Sequence, residues 1–356
     1  MSALDSLPSV KLGEKMFKKY VPKSALYELT LRCNMCCMHC GSSAGNKRQN
    51  ELTTKQWNSV TKQLVLLGCK KIALLGGEPF LRKNWYEISE TVKEYGLKLL
   101  FISNGFLVNE KTVEKLRKLD PYAVAVSVDG ATAKTHDSIR GVNGSFEKCQ
   151  EVIMMLKEAD LPTTVITTVN KKNFNELPEL RSWLLNKGIA WQLQMAVPIG
   201  RFQKELMISK EEFYATALFI GATRRNFSIK EIPIVGAHCF GYYSKILPNY
   251  AIMPNWKGCQ AGITAIGIQS DGGVKGCLSL PEEFVQGNVK ENSLAEIWNN
   301  QEFCSYSRNF NVENLNGACK ECKYGKKCKG GCLAASVSIT GDKFSDPYCF
   351  KLIEEN

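Results

Sequence analysis

The sequence predicts an α/β fold: a partial (β/α)6 TIM-like barrel followed by a small cysteine-rich, loop-rich domain. Three observations carry this. Short apolar runs alternate with longer amphipathic runs between Ala25 and Val197, the pattern of βα units. Six such units are too few for a complete eight-stranded barrel, so the barrel is expected to be open. After Arg225 the periodicity ends, and a stretch rich in Gly and Cys follows.

Strands are expected at 25–31, 71–75, 98–103, 123–128, 163–169 and 191–197. Helices are expected at 53–67, 84–95, 109–119, 145–158, 173–186 and 210–224. Several of these helices begin on Thr, Asn or Ser, which suit N-caps, and several end near Gly68, Gly96 or Gly188, which suit C-caps. Alternating β and α elements imply parallel strands with right-handed crossovers, and the site then lies where the strand C-termini converge. The expected division is an amphipathic arm over 1–20, the barrel over 21–225 and the small domain over 226–356. A segment so poor in regular core needs a metal staple.

Among the 356 residues, 15 cysteines outweigh every other compositional signal. No apolar run is long enough to span a membrane, and the Lys-rich start lacks the apolar core of a secretion signal. The cysteines therefore read as metal or redox groups in a reducing, cytoplasmic compartment rather than as disulfides. The formal charge is +11. A basic chain suits an acidic peptide or an acidic electron carrier, although solvated lysines alone give the same surplus. No basic run is interleaved with aromatics, so no nucleic-acid groove is expected.

The first motif is Cys33-Asn-Met-Cys-Cys37-Met-His-Cys40, after the first strand. Cys33, Cys37 and Cys40 can hold a four-iron cluster by three thiolates and leave one iron open. The alternative set of Cys33, Cys36 and Cys40 would read as a zinc site. Gly76-Gly77-Glu78-Pro79 ends the second strand, where glycines let backbone approach a ligand closely, or simply make a turn. Ser103-Asn104-Gly105 ends the third, and Ser127-Val-Asp129-Gly130 the fourth. Arg140 offers a guanidinium fork that suits a carboxylate or a surface ion pair.

A Cx3Cx2C motif after strand one, with GGEP after strand two, resembles the radical S-adenosylmethionine (SAM) superfamily. The resemblance implies that the open iron binds SAM and that SAM is cleaved to a 5′-deoxyadenosyl radical. His39 would lie beside the adenine, and Gly76, Gly77 and Glu78 would meet the methionyl amine. Ser103, Asn104, Ser127 and Asp129 would meet the ribose and carboxylate, Arg140 would pair with the carboxylate, and Met195 would cap the adenine or simply fill core.

Cys259 and Cys277 flank Gly272, and Cys319, Cys322, Cys328, Cys332 and Cys349 follow. This spacing resembles the SPASM domain, which carries auxiliary clusters. The resemblance implies that Cys319, Cys322, Cys328 and Cys349 bind one cluster and that Cys259, Cys277 and Cys332 bind another. Cys239 would supply its fourth ligand, or that iron would be open. Taken alone, the C-terminal cysteines also fit a zinc ribbon. Cys69, Cys149 and Cys304 read as small buried hydrophobes.

SAM and three [4Fe-4S] clusters are thus the expected cofactors. The resemblance points first to a peptide maturase that forms a thioether or carbon crosslink. A flavodoxin or ferredoxin would be its electron donor. Only about twenty residues precede the barrel, so the expectation is that a separate protein recognises the leader or that the peptide has none. Oxidation or decarboxylation of a small molecule and peptide epimerisation are the alternatives. Sulfatase maturation fits less well, since Leu278 stands after Cys277 where that reaction has an Asp. No residue stands out as the catalytic base.

Overall fold

The computed structural model describes residues 20–237, 240, 242–247 and 256–355. Residues 1–19 of the N-terminal arm and Cys239 lie outside the described residues.

The barrel strands are β1 (Ser24–Thr30), β2 (Lys71–Gly76), β3 (Lys98–Ser103), β4 (Ala123–Ser127), β5 (Thr163–Val169) and β6 (Ala190–Met195). The helices between them are α1 (Thr54–Leu67), α2 (Trp85–Glu94), α3 (Glu110–Leu119), α4 (Ala133–Arg140), α5 (Ser145–Glu158) and α6 (Leu177–Leu184). α7 (Lys210–Asn226) follows β6. Neighbouring strands from β1 to β6 pair in parallel, as the βα alternation requires.

α1, α3, α4 and α7 start where an N-cap side chain accepts a first-turn N–H. Thr53 and Ser209 each form a capping box, with Gln56 and Glu212. Gly68 closes α1 in the left-handed region at φ 94°. In β2 and β3, Ile72, Leu74, Leu99 and Phe101 are fully buried under the helices, while Ala73, Leu100 and Ile102 on the other face are only half-buried. The concave face of the sheet is thus left partly open, as an incomplete barrel requires.

Three features depart from the expectation. First, the sheet has nine strands among the described residues, in the order β7-β6-β5-β4-β3-β2-β1-β8-β9. β7 (Ile234–Gly236), β8 (Ala265–Ile268) and β9 (Val274–Lys275) are too short to give a period-two signal. β8 pairs in parallel with β1, so the cysteine-rich region is continuous with the barrel sheet. Second, α4 was not expected, because its charged residues mask the few apolar positions it buries. Third, the helix expected over 173–186 is a 3₁₀ turn, Phe174–Glu176, followed by the shorter α6. Pro178 sits in the first turn of α6, where its missing N–H costs nothing.

Candidate functional site

The loop after β1 carries Cys33, Cys37 and Cys40, and three other segments grip its backbone. Cys33 N–H donates to the Gly45 carbonyl (2.9 Å), closing the loop on itself. From β2, Gly77 N–H donates to Thr30 (2.8 Å) and Glu78 N–H to Arg32 (2.9 Å). A Cβ on Gly76 would strike the Thr30 carbonyl, and one on Gly77 the Arg32 carbonyl, so only glycine permits this approach. From α4, the Ile139 carbonyl accepts Met38 N–H (2.9 Å). From the segment after β6, Arg201 donates its N–H to Cys40 (3.1 Å), Nε to Cys37 (3.0 Å) and Nη1 to Ala44 (2.7 Å), all carbonyl oxygens. Sequence reasoning missed Arg201. Its only signal was a Gly-Arg pair just beyond a strand C-terminus.

Cys37 is buried, Cys33 and Cys40 are half-buried, and Cys36 is exposed. Burial pushes the Cys33 thiol up to about 11, and the nearby Cys37 and Cys40 thiols add to the shift. Burial also pushes Cys37 up, opposed by the Arg140 guanidinium. Arg140 Nη1 lies 3.8 Å from the Cys37 sulfur, and Asn104 Nδ2 lies 3.9 Å from the Cys33 sulfur.

Behind this loop the motif residues form one polar layer. Glu78 is fully buried and accepts from Ser103 Oγ (2.9 Å), Asn104 N–H (2.8 Å) and Phe80 N–H (3.3 Å). Burial pushes its carboxyl up to about 7 against these donors. Asn104 also donates to Asn34 Oδ1 (2.8 Å). Glu78 therefore ties the end of β2 to the end of β3. Asp129, also fully buried, lies 2.5 Å from Arg140 Nη2 and 3.2 Å from His39 Nε2, and accepts Thr168 N–H at 2.7 Å. Burial works against the charge, but Arg140 and His39 hold this carboxyl below the usual range. Arg140 was expected to meet a ligand carboxylate; here its partners are Asp129 and Cys37. Ser127 closes β4, half-buried, and Met195 is buried at the end of β6.

Two further groups back this layer. His136 Nδ1 accepts Asp129 N–H (3.1 Å), and the Cys149 thiol donates to the Asn104 carbonyl (3.2 Å). Burial and then Arg140 lower His136 to about 4. Apart from Asp129 Oδ2, which has its ion pairs, three buried polar atoms around the loop have no hydrogen-bond partner: Asn34 Nδ2, His39 Nδ1 and Arg140 Nε. Buried polar groups are nearly always satisfied, so orphans beside three thiols fit a polar ligand carried on a thiolate-bound group.

The C-terminal thiols gather in two places. Cys319, Cys322, Cys328 and Cys349 line one cavity together with Tyr242 and Asp346. Cys259, Cys277 and Cys332, together with Cys319, pack against a small apolar cluster that includes Leu280, Leu315 and Leu333. Among the described residues no three His, Cys, Asp or Glu side chains stand close enough to share a single metal ion. Thiolates on separate irons of a cluster need not do so. Cys69 and Cys304 are buried and bonded locally: the Cys69 thiol donates to the Lys71 carbonyl (3.3 Å), and Cys304 Sγ lies 3.1 Å from Tyr306 Oη. No helix among the described residues is long and apolar enough to cross a membrane.

Comparison with known proteins agrees with this layout. Residues 27–184 match the model of the radical SAM superfamily, and residues 259–323 match an iron–sulfur cluster-binding domain, SPASM. The AdoMet-dependent heme synthase of Methanosarcina barkeri is 31% identical over 92% of this chain and 96% of its own length. The mycofactocin maturase MftC of Mycobacterium ulcerans is 27% identical over 92% of this chain and 88% of its own. Among solved structures, Streptococcus suis SuiB with its precursor peptide SuiA superposes with a TM-score of 0.75 at 18% identity, over 93% of this chain and 76% of SuiB. That identity speaks to the fold alone.

Proposed function

The chain belongs to the radical SAM superfamily and carries a SPASM domain, and from that premise we propose that it is a cytoplasmic enzyme that oxidises a ribosomally made peptide, installing a thioether or carbon crosslink. The observation that carries this reading is the presence of separate thiol sites on one continuous sheet. One lies at the strand C-termini; the others lie before and after β8, which is bonded to β1. Oxidation needs both a place to remove a hydrogen atom and a route for the electron left behind.

Cys33, Cys37 and Cys40 would hold one four-iron cluster with SAM on its open iron. Cys319, Cys322, Cys328 and Cys349 would hold a second, and Cys259, Cys277 and Cys332 a third. Cys239 or the substrate would complete that last site. When bound, the first cluster and SAM supply one-electron chemistry that yields a 5′-deoxyadenosyl radical. The chain's own residues position these groups. His39, Gly76, Gly77, Glu78, Ser103, Asn104, Ser127, Asp129, Arg140 and Met195 would surround SAM, and the Asp129–Arg140 pair keeps a cation beside Cys37. The basic chain suits an acidic flavodoxin or ferredoxin as donor, and a separate protein would present the peptide leader.

The similarity to MftC supports a peptide substrate. A second reading, oxidation or decarboxylation of a small molecule, is favoured by the higher identity to the heme synthase. Anaerobic purification with iron counting, followed by SAM turnover under dithionite, tests the shared core. About twelve irons and release of 5′-deoxyadenosine are expected; about four irons would remove the auxiliary assignment. Mass spectrometry then separates the substrates. A peptide encoded beside the enzyme that loses two hydrogens supports the first reading. A heme precursor that loses carbon dioxide, with the peptide unchanged, replaces it with the second.

A further inference from the structure

Asp346 joins the two C-terminal thiol sets. It is 2% exposed. Its Oδ2 accepts Tyr242 Oη–H at 2.9 Å and the backbone N–H of Cys332 at 3.2 Å, and its Oδ1 accepts Tyr348 N–H at 3.0 Å. The same residue lines the cavity of Cys319, Cys322, Cys328 and Cys349. One carboxyl group is thus bonded to a residue of one set and stands at the wall of the other.

The turn between Cys328 and Cys332 is shaped to admit it. Gly331 is left-handed at φ 84°, and a Cβ there would come within 2.7 Å of both Asp346 Cβ and Tyr242 Cε2. Gly330, at φ 68°, lies against the Phe344 backbone, and its carbonyl accepts Asp346 N–H (3.1 Å). Tyr242 is itself held by stacking on Trp256, with centroids 4.7 Å apart.

We infer that Asp346 is a positioning residue that couples the two auxiliary clusters and sets their reduction potentials. The inference rests on the cluster assignment proposed above. Cluster potentials follow the charge and hydrogen bonds around the sulfurs. A buried carboxylate disfavours an added electron on any centre beside it, because low dielectric strengthens the repulsion. The donors from Tyr242, Cys332 and Tyr348 orient that charge and partly offset it.

The test is EPR-monitored redox titration of the reconstituted holoenzyme, with iron counted for each preparation. Asp346→Asn removes the charge and keeps the shape. Both auxiliary midpoints should rise, by about threefold to tenfold in the reduction equilibrium, which is about 28 to 59 mV for one electron. Tyr242→Phe removes one donor and leaves the carboxylate, so the midpoints should fall. Opposite signs from two variants of one contact would not come from mere loosening. Midpoints within threefold of wild type in fully loaded Asp346→Asn overturn the inference and leave the cluster assignment standing. If Asp346→Asn does not hold its iron, Tyr242→Phe decides alone: a fall supports the inference and no change overturns it. A wild-type protein with only about four irons instead removes the cluster assignment itself.

Discussion

The loop that carries Cys33, Cys37 and Cys40 hangs from the ends of long parallel strands, whereas Cys319, Cys322, Cys328 and Cys349 sit among single turns. The first loop borrows its shape from β1, β2, α4 and Arg201, all anchored in the main core. The second set is carried by a 3₁₀ turn, Gly317–Cys319, a four-residue helix, Gly325–Cys328, and the left-handed glycines 330 and 331. The lesson is one of dependence. A site built on a sheet is shaped before its cofactor arrives, while a site built on turns needs bonds to a metal to hold it.

Iron removal should separate the two regions most sharply. Chelation under anaerobic conditions should bring amide exchange over 316–349 close to unfolded rates, while β2 to β5 stay protected. Equal protection in both regions would erase the distinction. Next in size is Asp129→Asn, which leaves the buried Arg140 without its carboxylate. A loss of about 3–5 kcal/mol is expected from urea unfolding, with the auxiliary iron content unchanged.

Acid should also act on one buried group of the barrel. The described histidines, His39 and His136, both lie there. His136 falls to about 4 in the folded protein, through burial and then Arg140, against about 6.5 when unfolded. Between those values the unfolded chain holds the proton and the folded one does not, so the His136 contribution to stability falls as pH drops from about 6.5 to 4, while Glu78, pushed up to about 7 by burial, contributes in the opposite sense over much of the same window. The loss is about 3 kcal/mol at most. His136→Asn should flatten that slope in unfolding measured across the window. The smallest effect is expected for Arg201→Ala, which removes the side-chain bonds to Cys37 and Ala44. About 1–3 kcal/mol should be lost, seen as a lower melting temperature, with the C-terminal irons still in place.

Much of the barrel was legible because its signals are local. The apolar periods of β2 to β5 and the spacing of Cys33, Cys37 and Cys40 need only a few neighbouring residues each. The grouping of Cys319, Cys322, Cys328 and Cys349 was available only through resemblance, since no period or cap marks it. Arg201 escaped notice because its partners are backbone carbonyls, which carry no residue identity. The Asp129–Arg140 pair escaped for a related reason: both side chains suited a ligand, and only the fold shows that they face each other. β8 is four residues long, and nothing within it announces β1 as its neighbour.

That last pairing bears on how the polypeptide is born. The register partner of Ser24 is Ala265, most of the chain away. During synthesis β1 can add β2 early, but its other edge must wait for β8 to leave the ribosome. Until then it presents unpaired N–H and C=O groups, a template for aggregation. Closing so distant a contact is slow. Correct delivery of the C-terminal segment, and whatever metal organises it, therefore protects the nascent barrel before it serves any chemistry.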